Sequence, residues 1–259
     1  MWAHDRHQRI LAMLDARGQV GAQNLADLLG VSRETIRRDL LDLDRAGRVR
    51  RVHGGAVLPE AAPEAPFANR MTTHLRAKRE IARKAVGLIG PGQCVMIDAG
   101  STTAIFAQEL ARLSGITVIT NSVDVAQQLA DRPGEPARRY RVVMLAGDFK
   151  QDPMETHGAR TINDIYRYRA DLALLAPWGV DATMGATNYF LHGAEIARAM
   201  VENAERTIVL ADHSKVGVPA RSVFCRIDEM DHLIVDAKAR LRPGFDALAK
   251  AVPGLIVAE

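Results

Sequence analysis

Three groups of residues in this chain have the types and spacing to do chemistry. The first is Asp98-Ala99-Gly100-Ser101-Thr102-Thr103, which follows the apolar run Cys94–Ile97 and precedes a helical pattern. A glycine flanked by hydroxyls, between a strand and a helix start, offers backbone N–H groups, three hydroxyls and the positive end of a helix dipole. Those are the donors a phosphate group takes. The same six residues also make an ordinary helix N-cap with extra hydroxyls. The second group is Asp212-His213-Ser214-Lys215, where Lys215 is either the mobile ammonium that partners the anion or a solvated loop lysine. Asn121-Ser122 stands at the end of another apolar run. Asp98 and Asp212 are expected to orient the loop or a sugar hydroxyl rather than do acid–base work, since an ionised carboxylate only accepts and repels phosphate at close range. The candidate anion site is therefore Asp98, Gly100, Ser101, Thr102, Thr103, Asn121, Ser122, Asp212 and Lys215.

The third group is Ser32-Arg33-Glu34-Thr35-Ile36-Arg37-Arg38-Asp39-Leu40. Ser32 is a good N-cap, and Ile36, Leu40 and Leu43 recur at i, i+4 and i+7 as one apolar stripe. At roughly 100° per residue, Glu34, Arg38 and Arg45 point away from that stripe, with Thr35 and Arg37 on its flanks. A capped helix with an arginine face suits a major groove, because guanidinium forks match guanine O6/N7 or phosphate oxygens. It is equally an amphipathic surface helix with ordinary charges.

The elements around these groups narrow the choice. A first helix is expected from Asp5 to Gly18, with Ile10, Leu11 and Leu14 inward. A second covers 22–29, and Gly30-Val31 turns the chain into the third. After Gly47, Arg48-Val49-Arg50-Arg51-Val52-His53-Gly54-Gly55-Ala56-Val57 alternates valine with basic residues and predicts a basic hairpin. Three short helices and a hairpin make a winged helix-turn-helix over 1–57. Its candidate DNA contacts are Ser32, Arg33, Thr35, Arg37 and Arg38 on the helix, with Arg50, Arg51 and His53 on the wing. Wing arginines sit on phosphates or in the minor groove. Residues 58–70, punctuated by Pro59, Pro63 and Pro66, read as an extended linker.

From 71 to 259 the chain reads as an α/β domain with a mostly parallel sheet. A helical pattern over Thr73–Ile89 places Ile81, Ala82, Ala85, Val86 and Ile89 on one face and stops at Gly90-Pro91-Gly92. Strands are expected at Cys94–Ile97, Thr117–Thr120, Arg141–Leu145, Leu172–Ala176, Thr207–Leu210, His232–Val235 and Leu255–Val257, with helices near 104–113, 123–130, 157–168 and 194–203. In such folds ligands gather at the carboxyl ends of the strands, where the two polar loops and Asn121-Ser122 fall.

With these residues in view, the chain resembles the DeoR family of bacterial sugar-metabolism repressors. The resemblance rests on Arg6-x3-Ile10-x3-Leu14, on Ser32-x2-Thr35-Ile36-Arg37-Arg38-Asp39-Leu40, and on His53-Gly54-Gly55-Ala56. It continues through Asp98–Thr103, Val118-Ile119-Thr120-Asn121-Ser122, Gly179-Val180-Asp181 and Ala211–Gly217. It implies an operator-binding N-terminal half and a sensing half similar to the ribose-5-phosphate isomerase fold. It further implies a phosphorylated sugar or sugar-like effector, held by its phosphate at Gly100–Thr103. Three departures stand out: Gly147-Asp148 after the third strand, Ala176-Pro177-Trp178-Gly179 after the fourth, and Ala197 where relatives carry a lysine. They remove a cation and bring Asp148, and with it Glu195, toward the pocket. Trp178 is expected to pack in the core rather than stack on a ligand.

Composition sets wider bounds. With 34 Lys and Arg against 31 Asp and Glu, the net charge of +3 suits a small DNA-binding module diluted by a larger neutral domain. Cys94 and Cys225 both lie in apolar runs and are expected to be buried thiols of a reducing cytoplasm. His157 and His192 lack metal spacing, so neither a metal nor a cofactor is expected. No apolar run reaches the ~20 residues that cross a bilayer. The leading expectation is a cytoplasmic homodimeric or homotetrameric repressor bound to double-stranded operator DNA. An activator is the same in sequence. The alternative is a sugar-phosphate isomerase with an appended DNA-binding domain, which requires a positioned base such as Glu195 or Asp181.

Overall fold

The computed structural model describes residues 3–17, 19–45, 49–52, 54–57, 65–130 and 140–259. The chain divides into two compact units, Met1–Ala65 and Pro66–Glu259.

The first unit runs α1 (Ala3–Arg17), β1 (Gln19–Gly21), α2 (Ala22–Leu29), α3 (Arg33–Arg45), β2 (Arg50–Val52) and β3 (Gly55–Val57). Its core is the stripe expected from sequence, with Ile10, Leu14, Leu25, Ile36 and Leu40 all fully buried. The hairpin β2–β3 acquires a third strand that sequence did not suggest, because β1 pairs with β3 and gives the order β1-β3-β2. The close approach of β1 explains Gly55. A Cβ there would lie 2.0 Å from the Val20 carbonyl oxygen, so only glycine fits.

The second unit opens with α4 (Phe67–Thr72) and α5 (Leu75–Val86). Residues 67–70, read from sequence as linker, are thus helical. Pro66 stands at the N-cap of α4, next to the helix start where a fixed φ and a missing N–H cost nothing. The single long helix expected over Thr73–Ile89 is shorter, since Thr73 and His74 form a turn and the helix closes at Gly87. There follow β4 (Cys94–Ile97), α6 (Ser101–Leu110), β5 (Thr117–Thr120), α7 (Val123–Leu129), β6 (Arg141–Met144), β7 (Asp148–Gln151), β8 (Met154–His157) and α8 (Ala159–Ile165). Next come β9 (Ala170–Leu175), β10 (Gly179–Asp181), β11 (Gly185–Asn188), α9 (Leu191–Glu202), β12 (Ala204–Ala211), β13 (Ser222–Cys225), β14 (His232–Asp236), α10 (Phe245–Ala251) and β15 (Leu255–Ala258).

Seven parallel strands form one sheet in the order β15-β14-β12-β9-β4-β5-β6. Its members are the seven strands expected from sequence. Both faces are covered, as a parallel sheet requires. On β9, Leu172 and Leu174 enter one core with Ile97, Phe106 and Ile208, while Ala173 and Leu175 enter the other with Met96, Val209 and Phe224. The chain proceeds outward from β4 through β5 to β6, then returns to β9 on the opposite side of β4. That reversal falls between β4 and β9, and at such a point the carboxyl ends of neighbouring strands are where sheets of this kind take ligands.

The short antiparallel pieces escaped sequence analysis. The hairpin β7–β8 occupies residues read as loop, and the helix expected from 157 begins only at Ala159. A three-stranded ribbon, β10-β11-β13, was also not anticipated. Short strands without a continuous apolar run, such as Asp148–Gln151, Met154–His157 and Gly185–Asn188, leave no pattern to separate from turns.

Candidate functional site

In the first unit, α3 has the anatomy its sequence implied. The Thr35 amide donates to Ser32 Oγ at 3.1 Å, and Ser32 Oγ and Thr35 Oγ1 lie 2.8 Å apart. Arg33, Arg37 and Arg38 are exposed, the side chains of the latter two at 63% and 79%. Both reach only loosely toward the exposed Glu34, at 4.0 and 3.9 Å. Ion pairs this open are worth little, so the guanidinium groups stay free for other acceptors.

The anchor of this helix was not singled out from sequence. Asp39, on the inward side of α3, is buried against α1, taking hydrogen bonds from Arg6 Nε and Nη2 (the latter 2.8 Å) and lying 3.0 Å from His7 Nε2. Burial by itself would raise this carboxyl. The bonds from Arg6 and His7 outweigh it and hold Asp39 below the usual range. On the wing, Arg51 is exposed and its amide is tied to Asp44 of α3 at 3.1 Å. The backbone of Arg50 lies in β2, and His53 lies outside the described residues.

In the second unit, the residues of the candidate anion site lie just past the carboxyl ends of β4, β5 and β12. Asp98 follows β4 and Ala176 follows β9, and the Ala176 amide donates to Asp98 Oδ2 at 3.1 Å, so the carboxylate spans the reversal point. Gly100 precedes α6, and a Cβ there would crowd Thr103 Oγ1 at 3.3 Å. No side chain caps the first turn of α6, which leaves its amides for a ligand. By contrast, Ser122 caps α7 by accepting from the Val125 amide at 3.2 Å.

The three hydroxyls divide. Thr103, fully buried, donates its own to the carbonyls of Asp98 and Gly100 at 2.9 and 3.1 Å. It shapes the loop rather than offering a donor, a correction to the expectation of three available hydroxyls. Thr102 is buried. Ser101 Oγ accepts from Lys78 Nζ at 2.9 Å and keeps its own hydrogen to donate.

Lys78, only 4% exposed, was not singled out from sequence. Its ammonium also donates to the Arg70 carbonyl at 2.6 Å. The available signal was its place on the inward stripe of α5, three and four residues before Ile81 and Ala82, where a lysine is buried only if something polar receives it. Lys215, expected as the cation, holds its ammonium 5.5 Å from the centre of the Trp178 ring. Trp178 is itself half-buried and outside both cores, contrary to the expected core role. Asp212 accepts from the amide and hydroxyl of Ser214, at 2.9 and 2.6 Å, and so orders the loop that carries Lys215.

The unexpected hairpin completes the surroundings. Thr156 of β8 donates its amide to the Asn121 carbonyl at 2.8 Å, and Asn121 Nδ2 donates to the Thr156 carbonyl at 3.0 Å. Glu155, buried on β8, takes Lys150 at 3.1 Å. Burial first, and then the charge of Glu155, push Asp98 up to about 7. His192, near His157 with 5.9 Å between ring centres, is lowered by burial and by Lys150. Asp148 and Glu195 are both exposed. Cys94 and Cys225 are free thiols, Cys94 half-buried and Cys225 buried. Among the described residues no group of three or more His, Cys, Asp or Glu is arranged to hold a metal ion, and no helix is long and apolar enough to cross a membrane.

Comparison with known proteins addresses both units. Residues 6–62 match the model of the DeoR-like helix-turn-helix domain, and residues 73–237 match that of the DeoR C terminal sensor domain. The chain is 30% identical over 232 residues to the glycerol-3-phosphate regulon repressor of Escherichia coli (strain K12), covering 90% of each chain. It is 31% identical over 237 residues to the HTH-type transcriptional repressor GlcR of Bacillus subtilis (strain 168), covering 91% of this chain and 89% of that one. A solved ribose 5-phosphate isomerase A from Methanocaldococcus jannaschii is similar to 53% of this chain across 52% of its own length, at 20% identity and a TM-score of 0.39. With a DNA-reading domain and a sensor domain each matched in its expected place, this chain belongs to the DeoR family of transcriptional regulators.

Proposed function

We propose that the chain represses a carbohydrate-utilisation operon in the cytoplasm and leaves its operator when a phosphorylated sugar or polyol binds the second unit. One observation carries the effector half of this reading: the uncapped first turn of α6, with the buried ammonium of Lys78 on Ser101, at the sheet's reversal point. Backbone amides, a hydroxyl and a desolvated cation together suit a phosphate dianion. The name of the Escherichia coli relative, a glycerol-3-phosphate regulon repressor, supports a phosphorylated polyol as the class of effector. The exposed guanidinium groups of Arg37 and Arg38 support the DNA half. The chain acts as a homodimer or homotetramer on paired half-sites.

In this reading the effector is bound and released unchanged, and it acts by favouring the state with low operator affinity. Duplexes selected from a random library by the purified chain should be released by a phosphorylated sugar or polyol, and the same compound should raise the melting temperature of the second unit. Turnover of pentose or hexose phosphates at catalytic rates would instead make the second unit an isomerase.

A further inference from the structure

Two buried acceptors beside the phosphate cradle have no hydrogen-bond partner among the described residues: Asp98 Oδ1 and Asn121 Oδ1. Asp98 is 8% exposed and Asn121 is 1% exposed. The last paired residues of β4 and β5 are Ile97 and Thr120, so Asp98 and Asn121 each stand one residue past the carboxyl end of two adjacent strands. The orientation of each group is determined by its other bonds. Asp98 Oδ2 receives the Ala176 amide. Asn121 must turn its nitrogen toward the Thr156 carbonyl, an acceptor, which leaves the amide oxygen on the opposite side.

An unpaired buried acceptor costs free energy that folding has no reason to accept unless something supplies a donor. The cradle offers donors to an anion, whereas these two oxygens ask for donors. A ligand that satisfies both therefore carries an anion at one end and hydroxyl groups next to it.

We infer that Asp98 and Asn121 are the discriminating pair of the effector site, accepting hydroxyls on the carbons next to the phosphate ester and so rejecting inorganic phosphate and unhydroxylated phosphomonoesters. The inference rests on the phosphate reading of the cradle and adds what that reading lacks, a means of refusing bare phosphate. Sites built to pair a ligand hydroxyl reject the analogue without it far more strongly than apolar pockets reject a missing methylene, because their own buried groups are then stranded. The raised pKa of Asp98 fits a carboxyl held in poor solvation until a donor arrives.

The test uses the full chain and two matched pairs of probes, glycerol 3-phosphate with n-propyl phosphate and glucitol 6-phosphate with n-hexyl phosphate, alongside inorganic phosphate. Calorimetric titration should show the hydroxylated member of at least one pair binding about 10-fold or more tightly than its alkyl partner. In Asp98→Asn and in Asn121→Ala that advantage should shrink toward unity, while inorganic and alkyl phosphate bind no more weakly than to wild type, and more tightly in Asp98→Asn, where a charge that repels them is gone. Lys78→Met should weaken all the phosphates alike. Melting of each unliganded variant checks its fold, and Asn121→Ala carries the test if Asp98→Asn does not fold. Equal binding within both pairs, the result expected if ordered water satisfies the two oxygens, overturns the inference and leaves the cradle standing. So does a full hydroxyl advantage surviving in both variants. If no phosphate compound binds the wild-type chain, the cradle reading fails and the inference falls with it.

Discussion

The two functional regions handle charge in opposite ways. On α3 the arginines stand in solvent, weakly held by Glu34, and the buried charge of Asp39 serves only to lock the helix to α1. At the candidate anion site the charges are inside: Lys78 on Ser101 and Asp98 on Ala176. The difference follows from the partners. A DNA duplex is a large polyanion, and mobile cations gain affinity from it through counterion release with little need for exact placement. A small metabolite must be told from close analogues, which takes desolvated groups in predetermined positions.

The contrast can be broken at several points. The largest effect is expected from Arg6→Ala, which leaves the buried Asp39 carboxylate with His7 in place of the Arg6 fork and should destabilise the first unit by about 3 kcal/mol. Thermal unfolding of the variant would show it, and an unchanged melting temperature would mean that Asp39 is solvated rather than locked. Next is the pH dependence set by Asp98. Its folded pKa, about 7, lies above the unfolded value of roughly 3.9, so the native state binds the extra proton. Stability should then fall by a few kcal/mol as pH rises from about 4 to 7. Urea unfolding of wild type and Asp98→Asn across that range should show the loss in wild type alone.

Arg38→Ala should cost operator binding about 10-fold at fixed salt, within the usual range for a base-reading arginine, and leave the effector-induced rise in melting temperature intact. Fluorescence anisotropy on a selected duplex measures the first half; unchanged affinity would remove α3 from the groove. The smallest effect is Arg51→Ala on the wing. It should weaken all sequences alike and reduce the salt slope by about one.

Much of this molecule was legible in the chain. The seven strands of the parallel sheet were placed because each carries a short, mostly apolar run between turn signals, and α2 and α3 because turn or cap and stripe agree within a few residues. The cradle was located because Gly100 and its hydroxyls are contiguous. Other features were not legible because their partners lie far apart. Lys78 meets Ser101 across 23 positions, Asn121 meets Thr156 across 35, and Asp98 meets Ala176 across 78. The hairpin β7–β8 that brings Glu155 toward Asp98 has no continuous apolar run to announce it.

Sequence alone therefore determined the two-part organisation, the capped arginine-faced helix of the helix-turn-helix and the glycine–hydroxyl loop, since all of these rest on local spacing and capping. Tertiary structure decided which cation is buried against the loop, which hydroxyls are already engaged and which acceptors beside it lack a partner among the described residues. Those properties depend on burial, and burial is settled only when distant segments close over one another and exclude water.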